Sequence, residues 1–373
     1  MFMRDIDRFR GCLIGGAAGD ALGYAVEFDS WDIIKERFGP EGIQEYELRN
    51  GKARVSDDTQ MSLFTAAGLL FGTLRGRMRG VFGGYANYIS RSYHDWYLTQ
   101  TKPYPLDREN DFPASWLVNV PELFHRRAPG NTCMSACRAG AEGTLESPVN
   151  DSRGCGGVMR VAPIGLYFID KCDCAAADRL GAEAAALTHG HELAYLPAAA
   201  KVHILYRLAE TVDLPVADAV QDAMKSLPEL FPDAKHMSEL LSLMQKAMDL
   251  AAANMDDRDA IHELGEGWYG DEALAIAIYC AIKYQDDFDK AIIAAVNHDG
   301  DSDSTGALTG NILGARIGLK GIPEKYKRDL ELKDVILSIA DDLYNGCRME
   351  EDSDCDDPVW RRKYIECTYN GRQ

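Results

Sequence analysis

Apolar residues recur at helical spacing along almost the whole of this chain, and strand-like alternation of β-branched residues is sparse. Near the N-terminus, RFRGCLIGGAAGDALGYAVEF reads as a helix whose Gly and Ala residues permit close packing. SDDTQMSLFTAAGLLFG begins with a capping residue and continues as an apolar stripe. DRLGAEAAALTHGHELAYLPAAAKVHILYRLAE reads as two helices joined near residues 189–191. SELLSLMQKAMDLAAAN, DEALAIAIYCAIKY, FDKAIIAAVNHDG, STGALTGNILGARIG and LKDVILSIADDLYNG continue the pattern. The spacing predicts an all-α chain. No long Gly/Pro/Ser linker divides it, so residues 1–347 are expected to form one helical domain. Two segments break the pattern. Residues 91–116, rich in aromatics and proline, read as a surface loop or short helical excursion. Residues 348–373, acidic and then basic, read as a C-terminal extension outside the core.

The totals exclude several functions. A net charge of −19 argues against a nonspecific grip on nucleic acid, which needs a basic patch to displace counterions. A small anion remains possible, because backbone N–H groups bind phosphate locally. Asp20 interrupts the small apolar run near the N-terminus, so no signal peptide is read there. The most apolar run, EALAIAIYCAI, is too short to span a membrane. Ten scattered cysteines form no C-x-x-C framework and are read as free thiols of a cytoplasmic protein.

Two acidic clusters stand out. In VSDDTQM, Ser56 is a natural N-cap, and Asp57 and Asp58 fall in the first helical turn, where the helix dipole favours anions. In HDGDSDSTG, Asp299, Asp301 and Asp303 alternate ahead of a helix of small residues. Each alone reads as a capped helix or a solvated turn. An EF-hand loop fails, because its sixth and twelfth positions hold Ser304 and Gly310 rather than Gly and Glu. DSDST matches the D-x-D-x-T signature of haloacid-dehalogenase-type phosphatases if AIIAAV before it is a strand, although little chain follows to complete such a domain. If the two helix starts converge, their hydroxyls and carboxylates make a dense set of hard oxygen donors suited to Mg²⁺ or Mn²⁺.

Five motifs in order, GCLIGGAAGDALGYAVEF (11–28), SDDTQM (56–61), GCGGVMRVAPIGL (154–166), LTHGH (187–191) and GDSDSTGALTGNILGA (300–315), are similar to those of the ADP-ribosylglycohydrolase family. The resemblance spans residues 8–347. It implies an orthogonal all-α bundle, a centre of two Mg²⁺ or Mn²⁺ ions, and cleavage of the glycosidic bond between ADP-ribose and its acceptor. It implies Ser56, Asp57, Asp58, Asp301, Asp303 and Ser304 as metal ligands and Glu27 as the catalytic carboxylate. It also implies a substrate-binding loop at Arg153, Gly154, Cys155, Gly156 and Gly157, whose N–H groups would meet the diphosphate, and His189 near the diphosphate or adenosine. Cys155 stands where many members carry Asn. ADP-ribose and ADP-ribosylated substrates are the implied partners, with nucleic acid only as a modified acceptor; a non-catalytic ADP-ribose reader is the remaining alternative.

Each residue also has a structural reading. Glu27 could end its helix, His189 could be a satisfied helix-terminal histidine, and the glycines could form a plain turn. Trp268 and Tyr269 are read as core packing rather than as a stack on adenine. Asp20 is read as a structural hydrogen-bonder. Segment 91–116 is the candidate for one wall of the acceptor site, and Asp299 has no assigned role.

Overall fold

Two helices faced with glycine set the architecture. The computed structural model describes residues 4–80, 83–107, 111, 113–347, 349 and 357–370. Among these, the α-helices in chain order are α1 Ile6–Gly23, α2 Trp31–Phe38, α3 Asp57–Arg79, α4 Tyr85–Thr101, α5 Asn131–Arg138, α6 Ala162–Tyr167, α7 Cys174–Ala186 and α8 Glu192–Glu210. They continue with α9 Val216–Leu230, α10 Met237–Ala252, α11 Asp257–His262, α12 Gly270–Lys283, α13 Phe288–Val296, α14 Ser302–Gly321, α15 Lys333–Asn345 and α16 Pro358–Tyr364. The described residues hold no strand, only isolated bridges such as Gly154 with Tyr269. The chain is all-α, as its periodicity predicts. AIIAAV lies within α13, so the strand that the D-x-D-x-T phosphatase reading requires is a helix instead.

α1 and α14 make the most extensive helix pair among the described residues. Gly11, Gly15, Gly19 and Gly23 recur every fourth residue on α1, and Gly306, Gly310, Gly314 and Gly318 do so on α14. These rows lie on facing ridges. A Cβ at Gly15 would strike the Gly310 carbonyl, and a Cβ at Gly310 would strike the Gly15 carbonyl. Gly19 faces Gly306 and Gly11 faces Gly314 in the same reciprocal way. The helices are therefore antiparallel with backbone against backbone. Gly23 at the end of α1 lies against Ser302 and Asp303 at the start of α14.

Around this pair, α12 and α13 flank α14, and α15 packs on α1. α8 is buried along most of its length and contacts α7, α9 and α12. α3 packs against α4.

Two irregular segments differ from expectation. Residues 91–101 continue α4, burying Tyr93 and Trp96 on the face shared with Ile89 and Gln100. Trp96 Nε1 donates to Gln60 Oε1 at 3.2 Å. Asp95 accepts the Ala114 and Ser115 N–H groups at 2.8 and 2.9 Å, tying down the loop that follows. The described part of the C-terminal segment is not outside the core. Trp360 and Tyr364 of α16 are buried in it. Lys363 Nζ and the Tyr364 hydroxyl both donate to Asp342 of α15 at 2.7 Å. Asn119 Nδ2 donates to the carbonyls of Cys367 and Tyr369. The acidic run 350–356 lies outside the described residues.

Candidate metal centre and substrate cleft

The glycine face fixes where α14 begins, and a buried carboxylate fixes where α3 begins. Asp20 of α1 accepts the Ser56 N–H at 2.9 Å, the Thr59 N–H at 3.1 Å and the Thr59 hydroxyl. It is the structural hydrogen-bonder its position suggested. Burial, followed by the charge of Asp303, still raises its pKa to about 7. Ser56 caps α3 by accepting the Asp58 N–H at 3.1 Å. Both helix N-termini are thus held against α1. Glu27, four residues beyond Gly23, reaches the same place.

The result is a cleft of about 320 Å³ whose wall contains Glu27, Asp57, Asp58, Asp301, Asp303 and Ser304. Oxygens of Glu27, Asp301 and Asp303 lie within 4.8 Å of one another. At an effective dielectric near 20, two charges at that separation repel by about 3 kcal/mol. A helix dipole offsets at most about 2 kcal/mol for each. Repulsion and burial therefore win. Burial, then the charges of Asp303, Asp301 and Asp57, pushes Glu27 up to about 11. The carboxyls of Asp57, Asp58 and Asp301 are likewise well above the usual range, first from burial and then from the charge of Asp303. Glu27 Oε2 and Asp58 Oδ2 are buried with no hydrogen-bond partner. Clustered carboxylates, hydroxyls and orphaned oxygens form a donor set that fits hard divalent cations.

Ser56 is fully buried behind the wall. It reaches the cluster through a hydrogen bond between its side chain and Asp303. Asp299 stays outside: its Oδ1 accepts the Trp31 N–H at 2.8 Å and caps α2, whose own N-cap Ser30 makes no such bond.

The glycine loop divides. Gly154, Cys155 and Gly156 line the cleft with His189. A Cβ at Gly156 would come within 2.7 Å of the His189 ring. Gly157 sits behind, where its missing Cβ admits Ala185. Arg153 is not in the cleft wall. Its guanidinium makes a bidentate pair with buried Asp271 (3.0 and 2.6 Å), bonds Glu239 and lies over the Tyr269 ring. The Cys155 N–H donates to the Trp268 carbonyl at 3.0 Å and the Gly154 N–H to Ser152 Oγ at 3.4 Å, so these two donors are engaged within the protein. The Cys155 thiol instead meets Asp301 Oδ2 at 2.8 Å, and burial raises it well above the usual thiol range. His189 is pushed down to about 3 by burial and by Arg160, so its ring is neutral. Its Nδ1 is 2.7 Å from the Thr188 hydroxyl.

Trp268 and Tyr269 are not core residues. They are 37% and 47% exposed, and Trp268 stacks on Phe28, itself 72% exposed, with centroids 6.1 Å apart. Phe28 and Trp268 both line the cleft, making an aromatic pair at its rim. Sequence reasoning also missed the start of α5. Gly130, Asn131, Thr132 and Cys133 line the cleft, and the Gly130 N–H bonds Asp57. The signal was APGNT, a Pro-Gly turn leading into a helix start. No described residue of 91–116 lines the cleft; Tyr93 and Trp96 are instead buried and hydrogen-bond Thr65 and Gln60 of α3.

The fold and site define an all-α protein with an acidic, cation-suited cleft between helix N-termini. The ADP-ribosylglycohydrolase family profile matches residues 2–353, and the chain belongs to that family. It is 24% identical over 367 residues to ADP-ribosylhydrolase ARH3 of Mus musculus, covering 88% of each chain. It is 25% identical over 332 residues to the ADP-ribosyl-[dinitrogen reductase] glycohydrolase of Rhodospirillum rubrum, covering 88% of this chain and 91% of the relative. A solved structure described as an ADP-ribosylglycohydrolase-related protein complex shares the fold, with a TM-score of 0.56 at 24% identity over 91% of this chain and 98% of that one.

Proposed function

We propose that the chain is a divalent-metal-dependent hydrolase that cleaves the glycosidic bond between ADP-ribose and an acceptor. The observation that carries this reading is the convergence of Glu27 with the acidic starts of α3 and α14 on one cleft, with two buried carboxylate oxygens lacking protein partners. Family membership and the activities named in both relatives support it. Ser56, Asp57, Asp58, Asp301, Asp303 and Ser304 would hold two Mg²⁺ or Mn²⁺ ions. Bound there, the ions supply positive charge for an oxygen-rich substrate and for water.

The chain's own residues do the rest. Cleavage at the anomeric carbon passes through an oxocarbenium-like transition state and requires proton transfer to the leaving group and from water. We assign that proton to Glu27, whose position in the cleft wall beside Asp301 and Asp303 supports the assignment. Burial and its acidic neighbours raise its pKa in the cation-free chain, and bound cations would lower it again, so Glu27 would act as acid toward the leaving group or as base toward water. His189, held neutral, offers a ring that neither attracts nor repels a diphosphate by charge. Phe28 and Trp268 present aromatic faces at the rim against which a flat base can stack.

The test is release of free ADP-ribose from ADP-ribosylated peptides by the full chain, with Mg²⁺ or Mn²⁺ and with chelator. The expected result is cation-dependent release of ADP-ribose. Glu27→Gln is expected to abolish turnover while retaining ADP-ribose binding. Phosphate release would favour phosphatase chemistry. ADP-ribose binding without turnover of any conjugate would favour a non-catalytic reader.

A further inference from the structure

A second cluster of metal-ligand side chains lies away from the cleft, where α7, α8 and α9 meet. Cys174 opens α7, Asp178 follows one turn later, and His203 lies in α8. His203 is eleven residues, about 17 Å, from the cleft end of α8. Cys174 Sγ lies 3.4 Å from His203 Nδ1 and 3.6 Å from Asp178 Oδ1, and His203 Nδ1 lies 2.8 Å from Asp178 Oδ2. Tetrahedral zinc with bonds of about 2.3 Å to sulfur and about 2.0 Å to nitrogen and oxygen sets its ligands roughly 3.3–3.6 Å apart. The two sulfur separations already fit. The nitrogen–oxygen contact, made by the other carboxylate oxygen of Asp178, is at hydrogen-bond distance.

The imidazole supplies an independent observation. His203 is buried, and its Nε2 has no hydrogen-bond partner. Asp222 Oδ2 of α9 stands 3.6 Å from that nitrogen, held by Arg207. The two ring nitrogens therefore face one carboxylate each, Asp178 at Nδ1 and Asp222 at Nε2. With a cation on Nδ1, the ring's proton sits on Nε2 toward Asp222, the histidine–carboxylate pairing usual behind metal-bound imidazoles. A nucleophilic triad does not fit. Thiol and carboxylate both sit on Nδ1, so the ring cannot relay a proton between them through its two nitrogens.

We propose that Cys174, Asp178 and His203 form a binding site for a borderline-soft divalent cation, Zn²⁺ first among them, with Asp222 as the outer partner of the imidazole. Binding displaces the Cys174 thiol proton and any proton on His203 Nδ1, and the metal-bound imidazole is neutral with its proton on Nε2. Three protein ligands leave a fourth position for water beside the partly exposed Cys174. The site ties α7 to α8 and, through Asp222, to α9. It is chemically distinct from the carboxylate and hydroxyl cluster of the cleft.

The test is Co²⁺ titration of the full chain after chelator treatment. The expected result is one equivalent giving a thiolate-to-cobalt charge-transfer band, displaced by Zn²⁺. The band is lost in Cys174→Ser and retained in Cys155→Ser, which removes the cleft thiol. Asp222→Asn weakens binding about tenfold. A second readout needs no variant: Zn²⁺ slows alkylation of Cys174, followed by peptide mapping, and chelator restores the rate. No charge-transfer band in the unaltered chain, a band that survives Cys174→Ser or vanishes with Cys155→Ser, or alkylation of Cys174 indifferent to Zn²⁺ would each overturn the proposal.

Discussion

The starts of α3 and α14 carry nearly the same acidic motif, yet they are seated by opposite means. α14 is placed by the absence of side chains: four glycines on each helix let the backbones of α1 and α14 touch. α3 is placed by one buried polar side chain, Asp20, which satisfies three donors at its first turn. The first device is steric and leaves no room for error. The second is electrostatic and works against itself, because Asp20 adds a sixth carboxyl to the five that line the cleft. The difference implies that α14 is the rigid half of the site and α3 the half whose seating depends on protonation and cations.

The largest effect is expected from Gly310→Ala. Its Cβ would meet the Gly15 backbone, which has no side chain to move aside. A loss of more than about 3 kcal/mol is expected, from overpacking with no relaxation route, read as a fall in the urea midpoint or no folded protein at all. A change within experimental error would break the steric half of the comparison. Asp20→Ala follows, leaving the Ser56 N–H, Thr59 N–H and Thr59 hydroxyl without their partner. About 2–4 kcal/mol is expected from unsatisfied buried donors, partly offset by relief of repulsion with Asp303. Divalent-cation affinity should fall with it, in calorimetric titration.

The third prediction concerns pH. Glu27 stands at about 11 in the fold against an ordinary 4.5, so the folded state keeps a proton that the unfolded chain releases. That contribution is whole below about pH 4.5 and declines as pH rises toward 11. Lys201, lowered by burial to about 7, runs in the opposite sense above pH 7, but it is common to any Glu27 variant. In chelator, Glu27→Gln is expected to lose less stability than the unaltered chain between pH 5 and pH 7, measured by urea unfolding. Equal slopes would mean that the cluster does not hold that proton. The smallest effect belongs to Asp299→Ala, which removes the cap of α2. It should cost about 1 kcal/mol and leave cation binding unchanged. A large loss of cation binding would place Asp299 in the site after all.

Much of this was legible in local patterns. Helical spacing marked α1, α3, α8, α12 and α14, and Ser56-Asp57-Asp58 announced both a cap and a cluster. The fourfold glycine spacing was also visible, but its reciprocal fit needed both helices in place. What escaped depends on distant partners. Asp299 caps a helix from far along the chain. Arg153 belongs to Asp271 rather than to the cleft. Trp360 and Tyr364 follow a strongly acidic run, which disguised a core contact as an appendage. Tyr93 and Trp96 lie one helical turn apart, and the prolines that follow obscured that period. Cys174, Asp178 and His203 lie on two helices, and their chemistry emerges only when the helices pack.

The central claim is that the two helix starts form one cation site rather than two capped helices. Mn²⁺ binding to the full chain, followed by electron paramagnetic resonance, tests it most directly in the unaltered protein, Asp58→Asn and Asp303→Asn. Both substitutions, one on each helix, are expected to weaken Mn²⁺ binding at least about tenfold while the far-ultraviolet helical signal is unchanged. Mn²⁺ binding unaffected by either substitution, or no Mn²⁺ binding in the unaltered chain, would contradict it.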